Sequence, residues 1–410
     1  VLLMSSSVDV IVVGGGPCGS FAALNLAKYG VHAKVFEEHC EIGFPAHCSG
    51  HISLKGLMDL GLLPLPANVV ENTFFGAKFY SPSGVEFAVR FQKPLTCAVN
   101  RALFDRHIAE LAKSHGVEYC MNTRVESLVF EDGFAKGVKF SVNGNEKSAN
   151  AKIVVDAEGV SSIILRQAGL KCADASLIVN GVNAEVEGIR DVETDCVQVF
   201  LGSAYAPGFY AWIIPRKDGT AKVGLAAKWG NPKEFLHRFI LKNPVASKAL
   251  KNAKILRVVF HPISLGGFVP KAFSNGFLAV GDAASQVKPT TGGGIILGMN
   301  CAKIAAETAL EALLAGDFSA GFLSAYQKRF RRSFGFDVRF MLRVRRMLDL
   351  MSDGEFDSLI KTCVRLNLDE ALRGFSDLDF QGKALAKLLP KPKILQALFA
   401  FFFLYLSAKL

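Results

Sequence analysis

Residues Val8 to Glu37 constrain the chain most. Val8 to Val13 (VDVIVV) is a short, β-branched apolar run, which reads as a buried strand of a parallel sheet. Gly14-Gly15-Gly16-Pro17-Cys18-Gly19 follows. Ser20 to Tyr29 then has helical spacing, with Phe21, Leu24 and Ala27 on one side and Gly30 placed to cap the end. Ala33 to Phe36 is a second strand, and Glu37 closes it. Each glycine of this GxGxxG has a physical use. Gly14 permits the tight turn, Gly16 lets the backbone approach a pyrophosphate, and Gly19 lets helix and strand pack closely. The pyrophosphate would sit on the positive helix N-terminus, with Glu37 accepting ribose hydroxyls. A lone GxGxxG is a weak signal. Here strand, helix and acid accompany it, so the segment reads as dinucleotide-binding rather than as a glycine turn without a ligand.

Composition narrows the class. The chain has 410 residues, 50% hydrophobic and 20% charged, which is globular and too long for one small core; two or three lobes are expected. Its 33 Phe suit a large core or a greasy cavity. The formal charge of +10 is compatible with nucleic acid, an anionic membrane surface or a phosphorylated substrate, but no segment reads as a nucleic-acid module. Part of the charge gathers at Arg329, Arg331, Arg332, Arg339, Arg343, Arg345 and Arg346, interleaved with Phe330, Phe334, Phe336, Phe340, Met341 and Leu342. A solvated helix face or a lipid-phosphate contact would give this pattern. The nine Cys are irregularly spaced, with no CxxC pair and no Cys/His cluster of zinc spacing. No metal is expected, and a reduced, cytoplasmic protein fits best.

Val1 to Ser7 is short and lacks a basic region, unlike a signal peptide, and Met4 reads as a natural start. No stretch reaches the ~20 apolar residues that span a bilayer. Ile394 to Leu406 (ILQALFAFFFLYL), preceded by Lys387, Lys391 and Lys393, comes closest. It is expected either to pack on the body of the protein or to lie peripherally on the inner face of a membrane.

Ile42 to Gly56 reads as a loop. Asn72 to Arg90 alternates around Ser81-Pro82-Ser83-Gly84 and predicts a hairpin. Arg101 to His115 predicts an amphipathic helix, and Val117 to Gly144 strands with turns at Glu131-Asp132-Gly133 and Asn143-Gly144. Ala151 to Asp156 is another buried strand. Residues 175 to 265 are strand-rich, Ile295 to Leu314 is a long apolar helix, and the chain is helical from Ser319. The expected organisation is a discontinuous nucleotide lobe (5–75, 96–172, 268–318), a strand-rich substrate lobe (76–95, 173–267) and a helical region with an apolar end (319–410).

Two later segments repeat the strand–turn–helix pattern. Ile153 to Asp156 runs into Ala157-Glu158-Gly159, then Ser161-Ser162 and Arg166. Gly276 to Val280 runs into Gly281-Asp282-Ala283-Ala284. Asp282 can bind ribityl or ribose hydroxyls, and the helix N-terminus after it can face phosphate. Arg101 and Asp105 stand one helical turn apart.

In this order, the Gly14 turn, Asp156-Ala157-Glu158-Gly159 and Gly281-Asp282 resemble the fingerprints of the flavoprotein hydroxylase superfamily, the fold of p-hydroxybenzoate hydroxylase, over residues 8 to 315. Glu158 stands where that group usually has Asp, so its role is open. The resemblance implies FAD and an α/β (α+β) fold: a Rossmann-like FAD-binding domain, an inserted antiparallel-sheet substrate domain and a helical C-terminal region. It also implies cofactor contacts from Arg101, Asp156, Gly159, Pro17, Cys18, Glu38, Val125 and Ile295.

A narrower resemblance follows. Gly43-Phe44-Pro45-Ala46-His47-Cys48-Ser49-Gly50 resembles the Pro-x-x-Cys loop of the archaeal geranylgeranyl reductases, including the digeranylgeranylglycerophospholipid reductases. Phe209-Tyr210-Ala211-Trp212-Ile213-Ile214-Pro215 resembles their Tyr-x-Trp-x-Phe-Pro signature, with Ile214 in place of Phe. Lys288-Pro289-Thr290-Thr291-Gly292-Gly293-Gly294 resembles their loop beside the flavin ring. The family uses FAD to reduce isolated C=C bonds in geranylgeranyl chains. The resemblance therefore implies an isoprenoid lipid substrate and an electron donor such as ferredoxin, NAD(P)H or a deazaflavin.

The residues suit that chemistry. Hydride addition to an unactivated alkene needs a proton donor and a dry site. Tyr210 and Trp212, two apart on a strand, point to one face and can line an apolar channel; ordinary sheet-core aromatics are the alternative. Cys48 can contact the flavin edge or deliver the proton, since a free thiol with a pKa of ~8.5 is largely protonated at neutral pH. His47 and His51 flank it as tuning groups or as exposed loop residues. Gly292 to Gly294 open a helix whose N-terminus can stabilise negative charge on reduced flavin. Two other readings are open to the same residues: an aromatic monooxygenase of the same fold, and a prenyl carrier without turnover.

Overall fold

The Val8–Val13 strand forms where its β-branched run predicts, and parallel neighbours cover both of its edges. The computed structural model describes residues 8–142, 145–375 and 377–407; Val1 to Ser7, Met4 among them, and the expected Asn143-Gly144 turn lie outside the described residues. The chain divides into two units. The first runs to Ala46 and continues through Arg101–Ala175 and Ser264–Val338. The second holds His47–Asn100, Ser176–Ile263 and the chain from Arg339.

In the first unit, Phe277–Ala279, Asn145–Asp156, Val8–Val13, Ala33–Phe36 and Glu118–Cys120 lie side by side and parallel. Val13 stands opposite both Phe36 and Asp156, and Asp156 opposite Ala279. Four strands therefore end at one level, the edge where open parallel sheets receive nucleotides. The Pro17–Lys28, Arg101–Ser114 and Ile295–Ala315 helices belong to this unit. The expected helix behind Gly281-Asp282 is a single 3-10 turn, Gly281–Ala284; the long helix starts only at Ile295.

The second unit carries a seven-stranded sheet, with Ile178–Glu187, Thr220–Ala227, Ala211–Pro215, Cys196–Phe200, Gly76–Tyr80 and Glu86–Arg90 in that order beyond the edge strand Lys254–Ser264. Its described pairs are antiparallel except that of Cys196–Phe200 with Gly76–Tyr80. The predicted hairpin is Gly76–Tyr80 with Glu86–Arg90, its turn containing Gly84 at φ +89°. A smaller sheet joins His51–Ser53, Thr96–Val99 and Val70–Phe74.

These bounds differ from the expected ones: residues 319–338, expected in the helical region, fall in the first unit. Residues 47–75 fall in the second unit, because His51–Ser53 and Val70–Phe74 both pair with Thr96–Val99. The helical tail is not separate: Ile360, Leu368, Leu388 and Ile394 pack on Phe87 and Val89 of the hairpin. Nor is Ile42 to Gly56 all loop. The strand His51–Ser53 leads into a helix, Leu54–Asp59, whose cap is the Ser53 hydroxyl accepting from the Gly56 N–H at 3.0 Å.

The arginine-rich segment lies on the Ala320–Leu348 helix and is not uniformly solvated. Arg345 is buried and ion-paired to Asp349 at 2.6 Å. Arg329 pairs with Glu311, and Arg331 donates to the Val269 and Pro270 carbonyls. Arg332, Arg339, Arg343 and Arg346 are exposed. Among the described residues, no helix is long and apolar enough to cross a membrane.

One buried charge cluster ties the small sheet to the large one within the second unit. Glu71 accepts from Arg216 at 2.7 Å and from Lys222 at 2.6 Å. The Lys222 ammonium also donates to the Val99 carbonyl at 2.9 Å. The Val99 N–H donates to the Gly50 carbonyl at 2.9 Å, and the Gly50 N–H to the Cys48 sulfur at 3.4 Å. A hydrogen-bonded chain thus runs from Lys222 to the Cys48 loop.

Glu71→Gln should therefore cost about 3–5 kcal/mol in urea unfolding, because it leaves the buried Lys222 ammonium without its counter-charge. Burial already draws the Lys222 ammonium below its usual range, and Glu71 opposes that shift. Without Glu71 the shift deepens. The unfolded chain then binds more protons than the folded one, so the variant's stability rises with pH and its deficit narrows toward about pH 10. A deficit that does not change with pH would contradict this account.

Candidate active site

The nucleotide cradle of the first unit is built by close backbone approach. Gly14 has φ +96°, and a Cβ there would lie 2.5 Å from the Ala157 carbonyl oxygen. A side chain at Gly19 would run into the Gly14 carbonyl. Gly16 differs: it caps the Pro17–Lys28 helix, no side chain occupies the cap, and a Cβ would meet open space. That combination suits a pyrophosphate on the first-turn N–H groups. The Gly15 N–H donates to Glu37 Oε2 at 2.7 Å, while Glu37 Oε1 accepts from the His39 backbone and ring. Glu37 thus braces the turn, and its Oε2 keeps a second lone pair for a hydroxyl. Glu38 is exposed beside Arg124 at 3.7 Å. Val125 is the second residue of the Arg124–Glu131 strand, which starts just after the Thr123 N–H donates to the Glu37 carbonyl.

A second group of expected residues comes together at the Ile295–Ala315 helix. This helix also has a glycine cap, Gly294, with no side-chain bond. A Cβ at Gly294 would lie 2.9 Å from Asp282 Oδ1, so the carboxylate and the open helix end are neighbours. The loop before it closes on itself, with the Gly292 N–H donating to the Lys288 carbonyl at 2.9 Å and Pro289 buried inside. Cys18 points inward: a Cβ at Gly298 would lie 2.5 Å from its sulfur, and one at Gly281 3.0 Å. Burial pushes the Cys18 thiol up, which keeps it neutral.

Asp156 and Glu158 serve their own turn. Asp156 is fully buried and accepts the Glu158 N–H at 3.0 Å, and burial raises its carboxyl well above the usual range. Glu158 accepts from the Ile164 N–H at 2.6 Å and the Leu165 N–H at 3.1 Å, capping the short helix after Gly159. This supplies the role the sequence left open. Arg101 grips Asp105 through two hydrogen bonds, 3.1 and 2.8 Å. Gly43 lies close against the Ala102 backbone beside it.

In the second unit, Trp212 lies flat over Gly224, where a Cβ would be 2.5 Å from its ring, and its N–H donates to Asn183 Oδ1 at 3.2 Å. Tyr210 meets Trp212 edge to face at 5.9 Å and stacks on Phe209 at 4.2 Å. Both Tyr210 and Trp212 are half-buried, unlike the core aromatics of the same sheet. The Arg345 guanidinium covers Phe209 at 5.6 Å. Burial pushes the Tyr210 phenol up, against a smaller opposing pull from Arg345. Cys48 is exposed. His47 stacks on His261 at 5.1 Å, and His51 Nε2 shares a 2.7 Å hydrogen bond with Thr96, so neither is a loose loop histidine.

Sequence reasoning missed Glu71, Asn183, Lys222 and His261. Each acts through a partner far away in the chain, and nothing in its own neighbourhood marks it. Gly224 carried a faint signal, as a glycine inside an apolar strand marks a close approach.

The FAD binding domain family matches residues 7–336. The digeranylgeranylglycerophospholipid reductase of Methanosarcina acetivorans is 33% identical over 391 residues, 94% of this chain and 95% of that protein. The protein of that name from Methanocaldococcus jannaschii is also 33% identical, over 95% of this chain and 96% of its own. Among solved structures, a geranylgeranyl bacteriochlorophyll reductase-like protein from Thermoplasma acidophilum superposes with a TM-score of 0.85 at 27% identity, over 96% of this chain and 99% of that one. A flavin-dependent brominase, at 20% identity and a TM-score of 0.72 over 94% of this chain and 98% of its own, shares the fold. FAD is the protein's cofactor, and the chain belongs to the digeranylgeranylglycerophospholipid reductase family.

Proposed function

We propose that the protein is an FAD-dependent reductase that hydrogenates isolated C=C bonds of geranylgeranyl chains in archaeal-type membrane lipids or their precursors. The half-buried pair Tyr210–Trp212 carries this reading, together with the family membership. An isoprenoid alkene has no carbonyl to polarise it, so one of its carbons must receive a proton as the other receives hydride. FAD in its reduced form, when bound, supplies the hydride.

The chain's own residues do the rest. Trp212 is fixed by Gly224 beneath it and by Asn183 at its N–H, so it presents a rigid apolar face to a prenyl chain without an unsatisfied polar atom. Tyr210 adds a second ring, and its raised phenol stays neutral across the working pH range. The Arg345 charge nearby is balanced by Asp349. We assign Cys48 as the proton donor. Its S–H breaks as the new C–H forms, and the Gly50 N–H aimed at the sulfur stabilises the charge left behind. In the first unit, the glycine-capped helix ends hold the anionic parts of the cofactor.

Three outcomes are expected. Gly14→Val places a side chain against the Ala157 carbonyl at a positive φ, and the purified variant should lack the flavin absorption band. Dithionite-reduced holoenzyme, mixed anaerobically with geranylgeranyl lipid, should reoxidise, and mass spectrometry should find two hydrogens added per double bond. Absence of lipid-dependent reoxidation would sink the proposal. Cys48→Ala should keep its flavin but slow this reoxidation by about 10²- to 10⁴-fold, the usual contribution of a positioned acid; an unchanged rate would remove Cys48 from that role.

A further inference from the structure

We propose that the Pro392–Ser407 helix is a surface anchor that lays the protein on an anionic lipid bilayer. The helix has two apolar faces. Ile394 on one face is 3% exposed, and with Ala397 and Leu398 it packs against the cluster of Ile360, Leu368, Ala371 and Leu388. That face is enough to seat the helix on the second unit. The other face carries Leu395, Phe399, Phe402, Phe403 and Leu406, exposed by 41%, 65%, 50%, 67% and 41%. Their spacing of four, three, one and three residues makes a continuous stripe along a helix.

Charge identifies what covers this stripe. From Gln381 to Leu410 the sequence contains five Lys and no Asp or Glu. Lys383 and Lys387 are exposed just ahead of the helix. An apolar stripe preceded by lysines fits a surface that offers acyl chains under anionic head groups. A second copy fits less well, because a symmetric contact would bring the two sets of lysines together. The helix has 16 residues, so it is about 24 Å long, shorter than the roughly 30 Å hydrocarbon core, and it therefore lies along the surface rather than crossing.

Flotation of the FAD-loaded protein with phosphatidylcholine vesicles, with and without phosphatidylglycerol, tests the anchor. The protein should float with the phosphatidylglycerol vesicles and much less with phosphatidylcholine alone. Phe399→Glu/Phe403→Glu should weaken flotation about tenfold or more, while an unchanged flavin spectrum shows that the variant is folded. Three results would overturn the proposal: no flotation of the parent protein, equal flotation of the double variant, or a dimer in lipid-free solution that the double variant dissolves.

Discussion

The nucleotide end of the protein depends on parallel strands that finish in register. Because Val13, Phe36, Asp156 and Ala279 stand level, the chain leaves the sheet repeatedly at one edge. Gly14 then passes so close to Ala157 that no side chain fits between them, and Gly19 crosses the Gly14 carbonyl in the same way. These contacts pull the first helix down onto the sheet edge, with its uncapped N–H groups open at Gly16. Glu37, at the end of the next strand, holds Gly15 from the side. The shape of this sheet edge follows from backbone proximity more than from any single side chain.

The second unit meets a different constraint, the burial of polar groups beside apolar walls. Lys222, Arg216 and Glu71 satisfy one another where an isolated charge would be expelled, and through Val99 and Gly50 they hold the Cys48 loop. Trp212 lies flat because Gly224 opposite leaves room for its ring, and Asn183 takes its one donor. A rigid apolar wall and a placed thiol thus come from the same sheets.

Much of this was legible in the residues. The Val8–Val13 strand, the glycine turn, the Pro17–Lys28 helix and the hairpin at Ser81–Gly84 follow from periodicity and turn chemistry, which are local. The Pro-x-x-Cys loop and the Tyr210–Trp212 pair were found by resemblance; the strand itself begins at Ala211. Other features were out of reach for identifiable reasons. The Leu54–Asp59 helix hides among turn-forming residues, although Ser53 is an ordinary cap. The arginine-rich stretch reads as one charged face, yet Arg345 turns inward because Asp349 sits one turn on and Phe209 takes its guanidinium. Glu158, whose role the residues left open, caps its own short helix through N–H groups six and seven positions on.

By itself, the sequence determined the strand, glycine turn and helix at the start of the chain, and its greasy basic end. Those properties rest on residues within a few positions of one another. Only the tertiary structure decided which distant groups meet: Glu71 with Lys222, His47 with His261, Asp282 with Gly294, and Trp212 with Gly224 and Asn183. Register and packing set those encounters, and neither leaves a mark on the residues either side.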